Sequence, residues 1–229
     1  MHPLTHLSVL MQPSAAIMVA DGNLMTFERS LNPRSISMPA LPIVTATNPG
    51  ATRKVLASFR RILSHPVRQA LARIGDGKQI VVEIVQEANH VGKLDAEARR
   101  GDPAYASLLE SSYFAFVPRG DAEFSYRLLE VMSAGCIPVV LSDGWVLPFD
   151  RIVDWSSCSV QVPENKASEL PAILASFPTE RIAEMQAKVA QIYASVFSSL
   201  DTVVAGILKE AELVLRHLPG VQEQSASGK

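Results

Sequence analysis

The stretch that decides the fold is Phe114–Phe149, FAFVPRGDAEFSYRLLEVMSAGCIPVVLSDGWVLPF. Its two apolar runs, FAFV and CIPVVL, predict buried strands at Tyr113–Val117 and Ile137–Leu141. The segment between them, Ser125–Ala134, predicts a helix. Because parallel strands need a crossover connection, usually a helix, this order of elements is typical of a parallel sheet. The stretch therefore predicts an α/β fold.

The chain on either side repeats this alternation. Further strands are predicted at Gln79–Val85 and Ser159–Val162, whereas Lys54–Phe59 is too short for its periodicity to distinguish a strand from the start of a helix. The remaining predicted helices are Pro66–Ile74, Asp102–Ser111, Thr179–Phe197 and Leu200–Leu218. Together the elements predict a Rossmann-like parallel sheet with helices on both faces.

The two ends of the chain are predicted to be less regular. Residues 1–50 are rich in proline and lack sustained periodicity, and only Ile17–Ala20 indicates a strand there. We therefore divide the chain into an irregular lead-in at 1–50, a Rossmann-like unit with C-terminal helices at 51–218, and a flexible polar tail at 219–229.

Composition disfavours several classes of function. The 229 residues carry 21 basic and 23 acidic side chains, and a net charge of −2 provides no field to attract nucleic acid or an anionic membrane. The two cysteines form no disulfide scaffold, and the five histidines show no metal-ligand spacing. We expect no transmembrane segment and no signal peptide in these residues. Without GxGxxG after a strand or a GxSxG, a nicotinamide dehydrogenase and an α/β-hydrolase are disfavoured.

Polar residues of the central stretch are placed where a ligand would bind. In open α/β sheets, ligands lie outside the carboxyl ends of the strands. Arg119 and Gly120 follow the first strand, and Ser142 and Asp143 follow the second. Ser125 is predicted to cap a helix whose free N–H groups and positive dipole end face the same edge. The sequence therefore predicts an anion site at this edge.

Arg127 strengthens that prediction. It lies in the first turn of the predicted helix, where the dipole disfavours a cation unless an anion is bound in front. Guanidinium groups match phosphate oxygens, so we predict that Arg119 and Arg127 bind a diphosphate. Glu130, one turn further on, is a candidate acceptor for ribose hydroxyls. The alternative is a surface ion pair between Arg127 and Glu130, which would contribute less than ~1 kcal/mol.

The spacing of these residues resembles the C-terminal signature of the exostosin-like glycosyltransferases, family 47. The matching residues are Pro118-Arg119-Gly120, Ser125, Arg127, Glu130, Ala134 to Asp143, Leu147-Pro148-Phe149 and Asp154-Trp155. Three further segments are similar to the family: SISMPALP from Ser35, RKVLASF from Arg53, which is a strand in this family, and SVQVPEN from Ser159. The similarity spans about residues 35–200.

The resemblance implies the C-terminal lobe of an inverting GT-B glycosyltransferase, which binds a nucleoside-diphosphate sugar, expected to be a UDP-sugar, and transfers the sugar to a glycan acceptor. In GT-B enzymes, positive side chains and a helix N-terminus offset charge on the leaving diphosphate, so no metal and no cofactor beyond the substrate are expected. The residues expected to bind the donor are Arg119, Gly120, Ser125, Arg127, Glu130, Ser142 and Asp143. The catalytic base is not identified. A Golgi location is implied by the family alone.

The chain also departs from the family pattern. Arg61 stands where the family usually has Gly, and Arg34-Ser35 where it usually has Asp. Only 34 residues precede Ser35, far fewer than an acceptor lobe needs, so we expect residues 1–50 to be a remnant of that lobe and of the interlobe linker. Two hypotheses follow. The chain is either a catalytic transferase lobe, or a fragment or non-catalytic binding module that pairs with another chain supplying the acceptor lobe.

Overall fold

The computed structural model describes residues 19–21, 34–40, 42, 51–61, 63–85, 103–120 and 123–216. The strands are β1 Val19–Asp21, β2 Ile36–Met38, β3 Val55–Arg61, β4 Ile80–Ile84, β5 Ser112–Pro118, β6 Ile137–Leu141 and β7 Val160–Gln161. The helices are α1 Pro66–Ile74, α2 Pro103–Glu110, α3 Arg127–Ser133, α4 Leu170–Ala175, α5 Thr179–Ile192 and α6 Leu200–Arg216. Short 3₁₀ segments lie at Trp155–Ser157 and Glu164–Glu169, and a π-helical turn at Tyr193–Phe197.

Five parallel strands form the main sheet, in the order β4-β3-β5-β6-β7. The central pair is in register from Phe114 opposite Ile137 to Pro118 opposite Leu141. Every residue of β6 is buried, as expected for a strand covered on both faces. The predicted Rossmann-like α/β class is therefore confirmed. Because all five strands run the same way, their carboxyl ends meet at one edge of the sheet, called the carboxyl edge below.

Most predicted elements are found within one or two residues of their expected bounds. Lys54–Phe59, which periodicity left ambiguous, corresponds to strand β3. The helix expected at Ser125–Ala134 spans Arg127–Ser133. The prediction that Ser125 is its cap is wrong, because Tyr126 occupies the cap position, although Oγ of Ser125 accepts the N–H of Arg127 at 3.4 Å. The single helix expected at Thr179–Phe197 continues as a π-helical turn after Ile192.

The predictions for the chain ends are tested in part. A strand is present at Val19–Asp21, overlapping the one expected at Ile17–Ala20. It pairs in parallel with β2, which the sequence did not predict, in a separate two-stranded sheet. The tail predicted at 219–229, and most of the lead-in predicted at 1–50, lie outside the described residues.

Phe149 shows why the Leu147-Pro148-Phe149 motif is structural. Its side chain is fully buried, although its φ of +52° lies in a region that bulky residues rarely adopt. Its ring stacks on that of Phe197 with centroids 5.7 Å apart. Gly206 of α6 makes room for it, since a Cβ there would lie 2.8 Å from Cε2 of the Phe149 ring. Helix α6 therefore packs closely against this loop through a glycine.

Arg53 holds the opposite, amino edge of the sheet together. Its guanidinium donates hydrogen bonds to the carbonyl oxygens of Leu109 at the end of α2 and Ala134 just after α3, at 3.2 and 2.6 Å. It also donates to the carbonyl oxygen of Ser112 and to Sγ of Cys136. The last carbonyls of a helix lack internal partners and attract a cation, so this arginine is a shared cap for two helices.

An ion pair anchors α6 to the rest of the unit. Glu210 is fully buried, and it accepts hydrogen bonds from the backbone N–H and from Nη1 of Arg151 at 3.0 and 3.1 Å. The same Nη1 donates to the carbonyl oxygen of Ser35 at 3.0 Å. Arg151 thereby links α6 to the segment that leads into β2.

This ion pair gives stability a pH dependence. Burial raises the pKa of the Glu210 carboxyl above its ordinary value of 4.5 and Asp150 adds to the rise, although hydrogen bonds and charge from Arg151 oppose it. In the window above pH 4.5 the folded state therefore holds a proton that the unfolded state has released, and stability falls as the pH rises. We expect the stability of wild type relative to Glu210→Gln to fall across this window, measured by urea unfolding from about pH 4 to 7. Parallel profiles would contradict it.

Within the described part of the chain, no single helix is long and apolar enough to cross a bilayer. The helices Thr179–Phe197 and Leu200–Arg216 reach that length and composition only as a pair, which bends by 88°.

Candidate functional site

The carboxyl edge brings together most of the strand-end residues that the sequence singled out. Arg119 and Gly120 follow β5, while Ser142 and Asp143 follow β6. Glu164 follows β7, and the start of α1 contributes further polar side chains after β3. This is the edge at which open α/β sheets bind ligands.

Arg119 is a partly exposed cation at the carboxyl edge. Its backbone N–H donates to the carbonyl oxygen of Leu141 at 2.9 Å, which continues the pairing of β5 and β6. Its side chain is 26% exposed, and Nη1 lies 3.7 Å from Oε1 of Glu164. Its Nε is buried and finds no hydrogen-bond partner within the part of the chain that the structure describes. A buried donor left without a partner is costly, so this guanidinium has capacity for an acceptor.

Glu164 is a member of this edge that the sequence reasoning did not assign. Its Oε1 accepts the backbone N–H of Asp143 at 3.0 Å, and its own N–H donates to Oδ1 of Asp143 at 3.1 Å. Its Oε2 lies 4.0 Å from Nδ1 of His65. Glu164 belongs to the SVQVPEN segment, which is similar to the family, and its position after a strand is the signal that identifies it.

Ser142 and Arg68 donate hydrogen bonds to backbone carbonyl oxygens at the carboxyl edge. Ser142 donates from Oγ to the carbonyl oxygen of Glu123 at 2.7 Å, which fixes the loop before α3. Arg68 of α1 donates from Nε to the carbonyl oxygen of Arg119 at 2.9 Å. The sequence reasoning missed Arg68, although a cation in the first turn of a helix was the signal that identified Arg127.

Arg127 lies inside the protein and not at the surface. It is only 4% exposed, and its guanidinium carbon lies 4.9 Å from the ring centre of Phe59 and 5.0 Å from that of Tyr105. Nη1 donates to the hydroxyl of Tyr105 at 3.0 Å, and Nη2 donates to the carbonyl oxygen of Arg60 at 2.8 Å. Two ring faces and two acceptors stabilise a cation that burial would otherwise disfavour.

Glu130 belongs to the same buried cluster. It is 1% exposed, and the hydroxyl of Tyr105 donates a hydrogen bond to its carboxylate. Burial raises the pKa of Tyr105, Arg127 lowers it, and Glu130 raises it further, so the phenol stays protonated and bridges the two charged groups. The alternative of a surface ion pair is therefore wrong, because both residues are buried. Direct donor binding by Arg127 and Glu130 stays a prediction, and their burial favours an indirect role.

The described ranges hold no candidate metal site, and they include a cavity that lies away from the carboxyl edge. They contain no group of three or more His, Cys, Asp or Glu side chains that could hold a metal ion. A shallow cavity of about 420 Å³ lies beside Arg53, Tyr113 and Gln186. This cavity is at the amino edge of the sheet, opposite the residues described above.

Comparison with known proteins agrees with the resemblance. The family model of the Exostosin GT47 domain matches residues 5–177. The chain is 29% identical over 197 residues to exostosin-1 of Drosophila melanogaster, which covers 80% of this chain and 25% of that protein. It is 31% identical over 166 residues to exostosin-2 of Bos taurus, covering 70% of this chain and 23% of that protein.

The chain is also similar to solved structures. The chain is similar to WaaG, a glycosyltransferase involved in lipopolysaccharide biosynthesis, with 12% identity and a TM-score of 0.49 over 84% of this chain and 61% of that one. It is similar to the pneumococcal O-GlcNAc transferase GtfA in complex with UDP and GlcNAc, with 12% identity and a TM-score of 0.47 over 86% and 45% of the two chains.

The family model and the exostosin relatives establish the family. The chain spans about a quarter of the length of the two exostosins above. The family model nevertheless covers well over half of this chain. The predicted resemblance is confirmed, and the chain belongs to the exostosin GT47 family.

Proposed function

We propose that this chain is the donor-binding lobe of a GT47 glycosyltransferase, and that it binds a nucleoside-diphosphate sugar, specifically a UDP-sugar, at the carboxyl edge. The observation that carries the proposal is Arg119. Its guanidinium is partly exposed at this edge, and its Nε has no hydrogen-bond partner among the described residues. A diphosphate supplies acceptors that match the guanidinium in both geometry and charge.

The contact between Arg119 and Glu164 does not block this role. At 3.7 Å and with both side chains partly exposed, it is a loose ion pair that contributes less than ~1 kcal/mol. A charge-assisted hydrogen bond to a phosphate is worth about 1.5–3 kcal/mol. An incoming diphosphate would therefore displace Glu164 from Arg119, while Glu164 keeps its backbone bonds to Asp143.

In the transfer reaction, Arg119 would act on the leaving group. Negative charge grows on the diphosphate as the bond to the sugar breaks, and a fixed cation stabilises that charge without reorganisation. An inverting transfer also needs a general base to activate the acceptor hydroxyl. We propose that an acceptor lobe, in a longer chain or in a partner chain, supplies this base and binds the glycan. A Golgi location follows from the family and is part of the proposal.

Isothermal titration with UDP tests donor binding directly, with ADP and GDP as comparison nucleotides. We expect the chain to bind UDP more tightly than the other two. When the titration is repeated at higher salt the affinity for UDP should fall, because screening weakens a phosphate contact. The proposal is rejected if none of the three nucleotides binds.

A second measurement separates an enzyme from a binding module. The chain is incubated with UDP-sugars, and released UDP is quantified over time. Release indicates that the donor chemistry is intact in this lobe. Binding without release supports the alternative, a nucleotide-sugar-binding module that depends on an acceptor lobe for turnover.

A further inference from the structure

We infer that Arg68 is a positioning residue of the donor site, which fixes the Arg119–Gly120 turn so that the guanidinium of Arg119 faces the diphosphate. This inference rests on the proposed function and deepens it. Arg68 belongs to α1, away from the signature stretch, and it acts through the backbone of Arg119 and not through the ligand.

The backbone of Arg119 is held on both sides. Its N–H donates to the carbonyl oxygen of Leu141 in β6, and its carbonyl oxygen accepts from Nε of Arg68, each at 2.9 Å. The first bond ties the turn to the sheet, and the second ties it to the first turn of α1. A backbone fixed at both of its polar groups limits where the side chain of Arg119 can point.

Gly120 explains how Arg68 comes so close. A Cβ at Gly120 would lie 2.9 Å from Nη2 of Arg68 and 3.8 Å from its Cζ. The guanidinium therefore occupies the space that a side chain at position 120 would fill. The glycine of the Pro118-Arg119-Gly120 motif leaves room for this close approach, and a side chain there would require Nη2 of Arg68 to shift.

The presence of an arginine at position 68 is not explained by the stability of α1. A cation in the first turn of a helix is opposed by the dipole, and α1 has no acidic residue in its first turn to offset it. Arg68 is also only 8% exposed, so it carries a desolvation cost. An arginine here is explained by the directional bond to the turn, which a lysine ammonium cannot reproduce from the same backbone position.

The first test is UDP affinity, measured by isothermal titration below the unfolding transition of each variant. We expect Arg68→Met to weaken UDP binding about tenfold, the effect of one lost charge-assisted hydrogen bond, and Arg68→Lys to restore only part of it. Affinity for UMP should fall less than affinity for UDP, because the turn serves the diphosphate. The control is Arg73→Met, which removes the same charge from an exposed position in the last turn of α1.

Gly120→Ala provides a second variant that keeps every charged group. It should displace the Arg68 guanidinium and weaken UDP binding in the wild-type background. In an Arg68→Met background the same change should alter affinity by less than about twofold, because the two residues act through one contact. Additive effects would overturn the inference.

Hydrogen exchange of the free protein separates this inference from the proposed function. In Arg68→Met, and not in Arg73→Met, the amides around Arg119 should exchange faster without any nucleotide. If the wild-type chain fails to bind UDP, the proposed function falls, whatever the exchange result. If UDP binds but Arg68→Met leaves its affinity or the exchange unchanged, Arg68 does not position the turn and the inference is overturned.

Discussion

Replacing Arg127 by methionine is expected to lower the free energy of unfolding by about 3–5 kcal/mol, the usual cost of removing one partner from a buried charged cluster. The change removes a cation from the buried cluster that also contains Glu130, and it removes the donors to the Tyr105 hydroxyl and the Arg60 carbonyl. Methionine has a similar length, so little of the loss comes from a cavity. Urea unfolding monitored by circular dichroism measures the difference.

Two further variants make this prediction specific. Arg181→Met removes an exposed arginine, which forms only a surface pair with Glu184, and should cost less than about 0.5 kcal/mol. Adding Glu130→Gln to Arg127→Met should recover part of the stability, because it removes a negative charge from a buried cluster that has lost its arginine. An Arg127→Met protein as stable as wild type would contradict the buried cluster. UDP affinity of the folded variant then tests whether Arg127 also contacts the donor, as the sequence predicts.

The main sheet could be predicted because the local sequence of its strands is sufficient to identify them. The runs FAFV and IPVVL are apolar on both faces, which is the pattern of a strand covered by helices on each side. The short strand β2 gave no such signal. Its three residues lie in a proline-rich segment, and its pairing with β1 depends on a distant part of the chain.

The site shows the same division between local and distant information. Arg119, Ser142 and Asp143 could be placed at the carboxyl edge because each directly follows a strand. The burial of Arg127 could not be predicted, because α3 is buried on nearly every side and its phase does not identify a solvent face. The rings that contact the Arg127 guanidinium inside the protein belong to Phe59 in β3 and Tyr105 in α2.

Arg119→Met is expected to weaken UDP binding about 10- to 100-fold, which corresponds to the loss of one charge-assisted hydrogen bond worth about 1.5–3 kcal/mol. The effect on stability should be small, because the side chain is 26% exposed and its ion pair with Glu164 is loose. Arg119→Met therefore contrasts with Arg127→Met, since the first should change affinity and the second should change stability. Titration calorimetry and urea unfolding on the same preparations separate the two.

Glu164→Gln is expected to change UDP affinity in the opposite direction to Arg119→Met. It removes the carboxylate charge that competes with a phosphate for Arg119, yet its amide oxygen can still accept the N–H of Asp143. We expect it to strengthen UDP binding by about two- to fivefold, the scale of a partly exposed ion pair. In the double variant Arg119→Met/Glu164→Gln this gain should vanish, because the charge at position 164 affects the diphosphate mainly through its ion pair with Arg119. If Arg119→Met binds UDP as tightly as wild type and Glu164→Gln brings no gain, the diphosphate does not lie at this edge.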